Sequence, residues 1–239
     1  MTQPTYFQSL STELGRRATR AVLSQMGLRS RPLREYLRAC FERGPGSEGS
    51  FLADPVFEAL FDWEPAQVTM GQLAGQLLDA RLVAAMDQPG QGYIDTAFNR
   101  AWAPHKHQLD AWQALSQEPP RSVVVTSGTS SGKTECFLVP ILDHLVRQLP
   151  ANHHHAPPLI GTQALFLYPL NALINSQRER LRAWTSRFDG RVRFCLYNGD
   201  TPNEVPAHIQ SQHPQEIRSR VLLRREPPPI LVTNAPKLE

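Results

Sequence analysis

Nowhere do these 239 residues string together the roughly twenty apolar side chains that a membrane-spanning helix needs, and the polar start Met1-Thr2-Gln3-Pro4 lacks the apolar core of a secretory leader. Cysteine is scarce. Cys40, Cys136 and Cys195 are odd in number, far apart and outside any metal-ligand spacing, which excludes a disulfide framework, makes each a small buried hydrophobe and points to a reducing cytoplasm. Charge of one sign is not in large surplus either: 25 basic against 22 acidic residues leave +3, which permits a polyanionic partner without requiring one. No internal repeat is present, and no Asp-Glu pair stands at the end of any β-type run.

What is present divides into two textures. Through the first ninety residues the apolar positions recur at helical spacing: Leu10, Leu14, Ala18, Val22 and Met26, then Pro32 to Phe41 with proline in the first turn, where its missing N–H costs nothing. Further helices are expected over Asp54 to Phe61 and Met70 to Met86, and Asp87-Gln88-Pro89-Gly90-Gln91-Gly92 reads as a linker. The expected division is therefore a helical accessory region, 1–90, and a second domain, 91–239. In the second, short β-branched runs alternate with helical stretches. Strands are expected at Ser122 to Thr126, Ala164 to Tyr168, Val192 to Leu196 and Ile230 to Thr233, with helices beginning near Gly132, Asn171 and Pro214. That alternation predicts an α/β fold with a parallel, doubly wound sheet, whose ligands collect at the carboxyl ends of the strands.

Chemistry is concentrated in one string. Val123-Val124-Val125 runs into Ser127-Gly128-Thr129-Ser130-Ser131-Gly132-Lys133-Thr134 and then into the apolar stretch Phe137 to Leu145, giving strand, loop and helix in the order of a phosphate-binding P-loop. Small residues let backbone N–H groups curl around phosphate oxygens at a helix N-terminus, where the macrodipole favours negative charge. Lys133 would reach the β/γ-phosphates and Thr134 would ligate Mg²⁺. Ser127 replaces the usual leading glycine.

With that loop the chain resembles the superfamily 2 helicases of the DEAD/DEAH-box type, whose first motif is led by a small non-glycine residue. The resemblance implies a RecA-like ATP-binding domain, ATP with Mg²⁺ as cofactors, and DNA or RNA as partner, DNA preferred. It also implies a role for Gln108, in His107-Gln108, reading the adenine edge, since an amide donates and accepts at once. Tyr168-Pro169-Leu170-Asn171, continuing to Gln177, is similar to the family's motif Ia, with Leu170 and Asn171 departing from its Thr-Arg pair. Gly199, in Tyr197-Asn198-Gly199-Asp200, is similar to the motif Ib glycine, and Thr233-Asn234 to a later phosphate-contacting element. Pro169, Asn171, Gln177, Gly199, Thr233 and Asn234 are thus the implied nucleic-acid contacts. The group most resembled is that of large bacterial DEAD/DEAH helicases like the mitomycin-repair helicase, which implies a role in DNA repair or phage defence.

The family's Walker B acids and second RecA-like domain, with its arginine finger, are not matched. The chain is thus expected to be an N-terminal fragment of a helicase, with negligible turnover alone. Two other functions remain open: a non-catalytic nucleotide- or nucleic-acid-binding regulator, and a small P-loop kinase using Asp200 as its Mg²⁺ acid. His153-His154-His155 is expected to be a solvated loop. Arg178, Arg180, Arg182 and Arg187 are expected to form a solvated face, with pairing to Glu179 or a basic face toward nucleic acid as alternatives. Trp63, Trp102, Trp112 and Trp184 are expected to be packing anchors, with Trp102 in reach of an adenine beside Gln108.

Overall fold

The structure is a computed structural model that describes residues 6–54, 56, 63–119, 121–128, 131–152 and 156–234. The helix expected over Asp54 to Phe61, the triple histidine, and Thr129 and Ser130 of the loop fall wholly or mainly outside these residues.

The chain forms two compact units, Met1–Phe61 and Asp62–Glu239, so the division lies well before the expected boundary at 90. In the first unit α1 (Tyr6–Gln25) and α2 (Arg31–Phe41) pack together. Gly15 lies on the buried side of α1, where a Cβ would stand 3.1 Å from Leu52.

The second unit is built on a four-stranded parallel sheet. Its strands are β1 (Ala164–Leu167), β2 (Phe194–Tyr197), β3 (Glu216–Ile217) and β4 (Ile230–Thr233), in the spatial order β1-β4-β2-β3. The central strand β4 pairs Phe166 with Val232 on one side and Leu196 with Val232 on the other, and its Ile230 and Val232 are fully buried. Phe194, Cys195 and Leu196 of β2 are buried in succession, as a strand covered on both faces requires. Around the sheet lie α3 (Met70–Leu73), α4 (Ala80–Asp87), α5 (Lys106–Leu115), α6 (Lys133–Arg147), α7 (Asn171–Ser176), α8 (Arg178–Thr185), α9 (Ala207–Ser211) and α10 (Arg220–Arg225).

Residues 62–90 belong to this unit through named contacts. Thr69 and Gln72 form a reciprocal capping box that starts α3. The stretch expected as one helix breaks after Leu73, and α4 restarts with Asp79 accepting from Arg81 N at 2.8 Å. Arg81 then reaches the far end of α6, donating to Val146 O and, just past the helix, to Leu149 O and Pro150 O. Asp79 is held below the ordinary carboxylate value by its hydrogen bond from Arg81. The expected linker is likewise packed: Pro89 is buried, Gly90 N donates to Ser186 Oγ, and Arg187 donates to Gln88 O.

Two other expectations are corrected. Residues 121–128 form no strand; Val123 and Val125 are half-buried while Val124 is 88% exposed, so the segment keeps the alternation of an extended chain without a ladder. The helix expected at Pro214 is replaced by α9 before it and the two-residue strand β3 after it. Among the described residues β1 pairs only with β4, leaving its Leu165 and Leu167 about half exposed, at 47% and 53%.

Candidate functional site

The loop ends as the sequence predicts, at the head of a long helix. Gly132 caps α6 with φ 72° and ψ 33°, in the left-handed region that glycine enters at no steric cost. A Cβ there would also push the Gln108 amide out of place. Within the loop Ser127 Oγ and Ser131 Oγ share a hydrogen bond, and Lys133 Nζ donates back to Ser127 O at 2.9 Å and to Gly128 O. The ammonium is therefore held inside the loop, beside the N-terminus of α6. Lys133 and Thr134 also line a cavity of about 450 Å³ with Val123, Val125, Phe137 and Tyr168.

Helix α5 is laced to this loop from outside. His107 Nε2 bonds Ser131 O at 2.8 Å, Gln108 Nε2 donates to Gly132 O at 3.1 Å, and Trp112 Nε1 donates to Glu135 O at 2.9 Å. Gln108 is buried, and its Oε1 accepts from His105 N at 2.9 Å. Both ends of its amide are thus used within the chain, one of them on Gly132 of the loop.

Trp63, expected as a packing anchor, packs beside the loop, a position the sequence does not mark. Its ring meets His107 edge-on at 5.6 Å, and a Cβ on Gly128 would stand 3.3 Å from it. The strand-like contact of Pro65 with His105, with Lys106 N donating to Glu64 O, fixes the segment there. Trp102, by contrast, is 56% exposed and packs on Phe98. No local signal marks Trp63, because the contact joins two segments far apart in sequence.

Burial, with the neighbouring His107 ring, pushes His105 below its ordinary 6.5; burial and then Arg182 do the same for His213. A histidine whose pKa is lowered on folding binds fewer protons folded than unfolded, so stability is complete above about 6.5 and is lost as the pH falls below it. The melting temperature is expected to be lower at pH 5.5 than at 7.5, and the drop to be smaller in His105→Gln. An equal drop in that variant would remove His105 from the account.

The remaining expected site residues sit at the carboxyl ends of the strands. After β1, Pro169 and Asn171 are exposed. After β4, Asn234 Nδ2 donates to Asn171 Oδ1 at 2.8 Å, joining two of the expected contacts. After β2, Gly199 is exposed in a turn built by Thr201 Oγ1, which donates to Leu196 O and accepts from Asn198 N. A Cβ on Gly199 would touch nothing in the chain, so no internal contact explains that glycine. Gln177 and Thr233 are buried, the Thr233 hydroxyl donating to Tyr197 O at 2.7 Å; as placed, they support the surface and do not line it. Asp200 lines a separate cavity of about 270 Å³ with Asn175, Arg178 and Arg218, not the one that Lys133 and Thr134 line.

The arginines expected as a solvated face are mostly engaged within the chain. Arg178 and Arg182 both pair with Glu216, at 3.1 and 2.6 Å, and Arg182 also pairs with Glu179. Arg180 pairs with Glu135 at 3.2 Å. Trp112 and Trp184 are buried packing anchors. Cys136 and Cys195 are buried free thiols, the latter pushed up to about 12 by burial, with Glu216 adding. Among the described residues no helix is long and apolar enough to cross a membrane.

Residues 105–225 match the family model described as DEAD/DEAH box helicase. The chain is 38% identical over 109 residues to Druantia protein DruE of Escherichia coli, an overlap covering 41% of this chain and 6% of that protein. It is 25% identical over 151 residues to the uncharacterized ATP-dependent helicase YprA of Bacillus subtilis, covering 61% of this chain and 17% of the other. Among solved structures, the DUF1998 helicase MrfA bound to DNA aligns with a TM-score of 0.45 and 22% identity, over 72% of this chain and 20% of that one. The chain therefore spans a fifth or less of the length of these proteins.

Proposed function

The chain belongs to the DEAD/DEAH box helicase family, and on that premise we propose that it is the nucleotide-binding part of an ATP-dependent nucleic-acid helicase or translocase. The observation that carries this reading is the Gly132-Lys133 loop at the head of α6, with Lys133 held inside it and Gln108 bonded to its last carbonyl. These residues fit a nucleoside triphosphate with Mg²⁺. Backbone N–H groups at the helix terminus and the Lys133 ammonium would neutralise phosphate charge, and the Thr134 hydroxyl would be a metal ligand. Bound Mg²⁺ would screen the phosphate oxygens and so ease attack by water. Gln108 would offer an adenine edge only what its two internal bonds leave. Trp63, packed against Gly128 and His107, offers an aromatic surface beside them.

The exposed Pro169, Asn171 and Gly199 and the half-buried Asn234 would meet a nucleic-acid backbone at the strand ends, with Gln177 and Thr233 holding that surface from beneath. Neutral amides dominate this set, so binding would depend less on salt than arginine contacts would make it. DNA is the preferred partner, as the resemblance to the family implies.

Hydrolysis also needs acids that hold the metal and orient water. No strand end described here carries such a pair. We assign them to polypeptide outside these 239 residues, on a strand that would add to the free edge of β1, with an arginine finger from a second RecA-like domain. A regulator that binds nucleotide without turnover is favoured by the same lack. A kinase using Asp200 is disfavoured by the separate cavity in which that residue lies.

Thermal melting of the chain with and without ATP and Mg²⁺ tests nucleotide binding. At a hundredfold excess over Kd, linkage supplies about 2.7 kcal/mol, read as a raised Tm. No shift in a folded sample at saturating nucleotide would sink the reading. The motor is separated from the regulator by hydrolysis in the longer parent polypeptide, expected to be strongly stimulated by single-stranded DNA while the 239 residues alone show negligible turnover.

A further inference from the structure

The turn that follows β2 uses nearly all of its own donors. Asn198 N donates to Thr201 Oγ1 at 3.0 Å, Asp200 N to Asn198 Oδ1 at 3.0 Å, and Thr201 N to Asn198 O at 3.3 Å. Among the described residues Gly199 N donates to no acceptor of the chain. It stands on an exposed residue around which a Cβ would find open space.

What a phosphate would meet there depends equally on the carbonyls, since an outward-facing oxygen repels it. Two of them are taken up by one side chain of α10. Arg220 Nε donates to Thr201 O at 2.8 Å and Arg220 Nη2 to Gly199 O at 3.3 Å. The guanidinium also lies over the Tyr197 ring, 5.7 Å from its centroid, an attraction that holds its plane against the end of β2. The backbone repeats the connection, with Arg220 N donating to Pro202 O at 2.9 Å and Val221 N to Asn203 O at 3.0 Å. Ser219 Oγ starts the helix by accepting from Leu222 N. Residues Gly199 to Asn203 are thus fastened along the first turn of α10, about twenty positions later in the chain.

We propose that Arg220 is a positioning residue for nucleic-acid binding: it holds the carbonyls of the Gly199 turn to itself and so leaves the Gly199 N–H to a phosphate of the strand. This rests on the nucleic-acid reading above, which gives Gly199 a contact and Arg220 none. Arg220 acts through the turn and does not touch the ligand.

The test measures the Kd of a fluorescent single-stranded DNA oligonucleotide for the 239-residue chain by anisotropy, over a series of salt concentrations. Arg220→Gln is expected to weaken binding about tenfold, the scale of hydrogen bonds from a charged donor, with the slope of log Kd against log salt unchanged. An arginine that met phosphate directly would lower that slope by about 0.7. Gly199→Ala, whose methyl keeps the strand off the turn, is also expected to lose about tenfold. In the double variant Arg220→Gln then costs less than about twofold more, because the turn it positions no longer serves. General damage would cost the same in either background. If Arg220→Gln fails to fold, Arg220→Lys carries the test, since it keeps the charge and one donor. It is expected to lose about threefold alone and nothing further beside Gly199→Ala. An Arg220→Gln variant within twofold of wild type, a slope lowered by 0.7, or a loss of equal size in both backgrounds overturns the proposal. So does an Arg220→Lys variant, used in its place, that binds as wild type or loses threefold in both. A folded wild type that binds no oligonucleotide at low salt refutes the nucleic-acid reading instead, and this proposal with it.

Discussion

Lys133→Ala is expected to abolish the nucleotide-dependent rise in melting temperature and to leave the nucleotide-free protein folded. Two physical effects separate here. In the free protein Lys133 makes two hydrogen bonds to loop carbonyls, Ser127 O and Gly128 O. Gly128 is exposed and Ser127 half-buried, so water replaces the ammonium at a cost of about 1–2 kcal/mol, and alanine is the best helix former for the first position of α6. With a phosphate present the same nitrogen would be a charge-assisted donor in a partly enclosed site. Removing one partner of such a pair costs about 2–5 kcal/mol, a loss of roughly 30- to several-thousand-fold in affinity. Calorimetric titration with ATP and Mg²⁺ reads the second effect, and circular dichroism with melting reads the first. Wild-type affinity in the alanine variant would remove the loop from the nucleotide site.

Trp112→Ala carries the largest expected effect on stability, a loss of about 3–5 kcal/mol. The side chain is fully buried, among the largest in the core, and its indole N–H donates to Glu135 O across the seam between α5 and α6. Alanine leaves a cavity where α5 presents Gln108 and His107 to the loop, so nucleotide affinity should fall with stability. Trp112→Phe, which fills most of the volume and loses only the donor, should cost less than half as much. Urea unfolding followed by circular dichroism checks the order of the two variants. A loss under about 1 kcal/mol for alanine would mean that α5 is not anchored through this ring.

Much of the second unit is legible without coordinates because it depends on local rules. The start of α6 is the plainest case, since Gly132-Lys133-Thr134 followed by an apolar helix requires only a left-handed cap and a helix terminus, both specified within a few residues. The runs Ala164 to Leu167 and Ile230 to Thr233 form strands close to where β-branched and apolar composition puts them. Ser122 to Thr126 is richer still in β-branched residues and forms none. A strand exists only when a neighbour supplies its ladder, and composition says nothing about whether a neighbour is there.

The site divides along the same line. Sequence alone determined the residue types at the loop, the alternation of strand and helix, and the order of the segments that follow each strand, because these are set by steric and hydrogen-bonding rules acting over a few residues. Tertiary structure decided the burial of Gln177 and Thr233, the engagement of Gln108 by the loop, the placing of Trp63 against Gly128, and the pairing of Arg180 with Glu135. Each of those joins segments separated in sequence, and the energy of a buried polar group depends on the partner that folding brings to it.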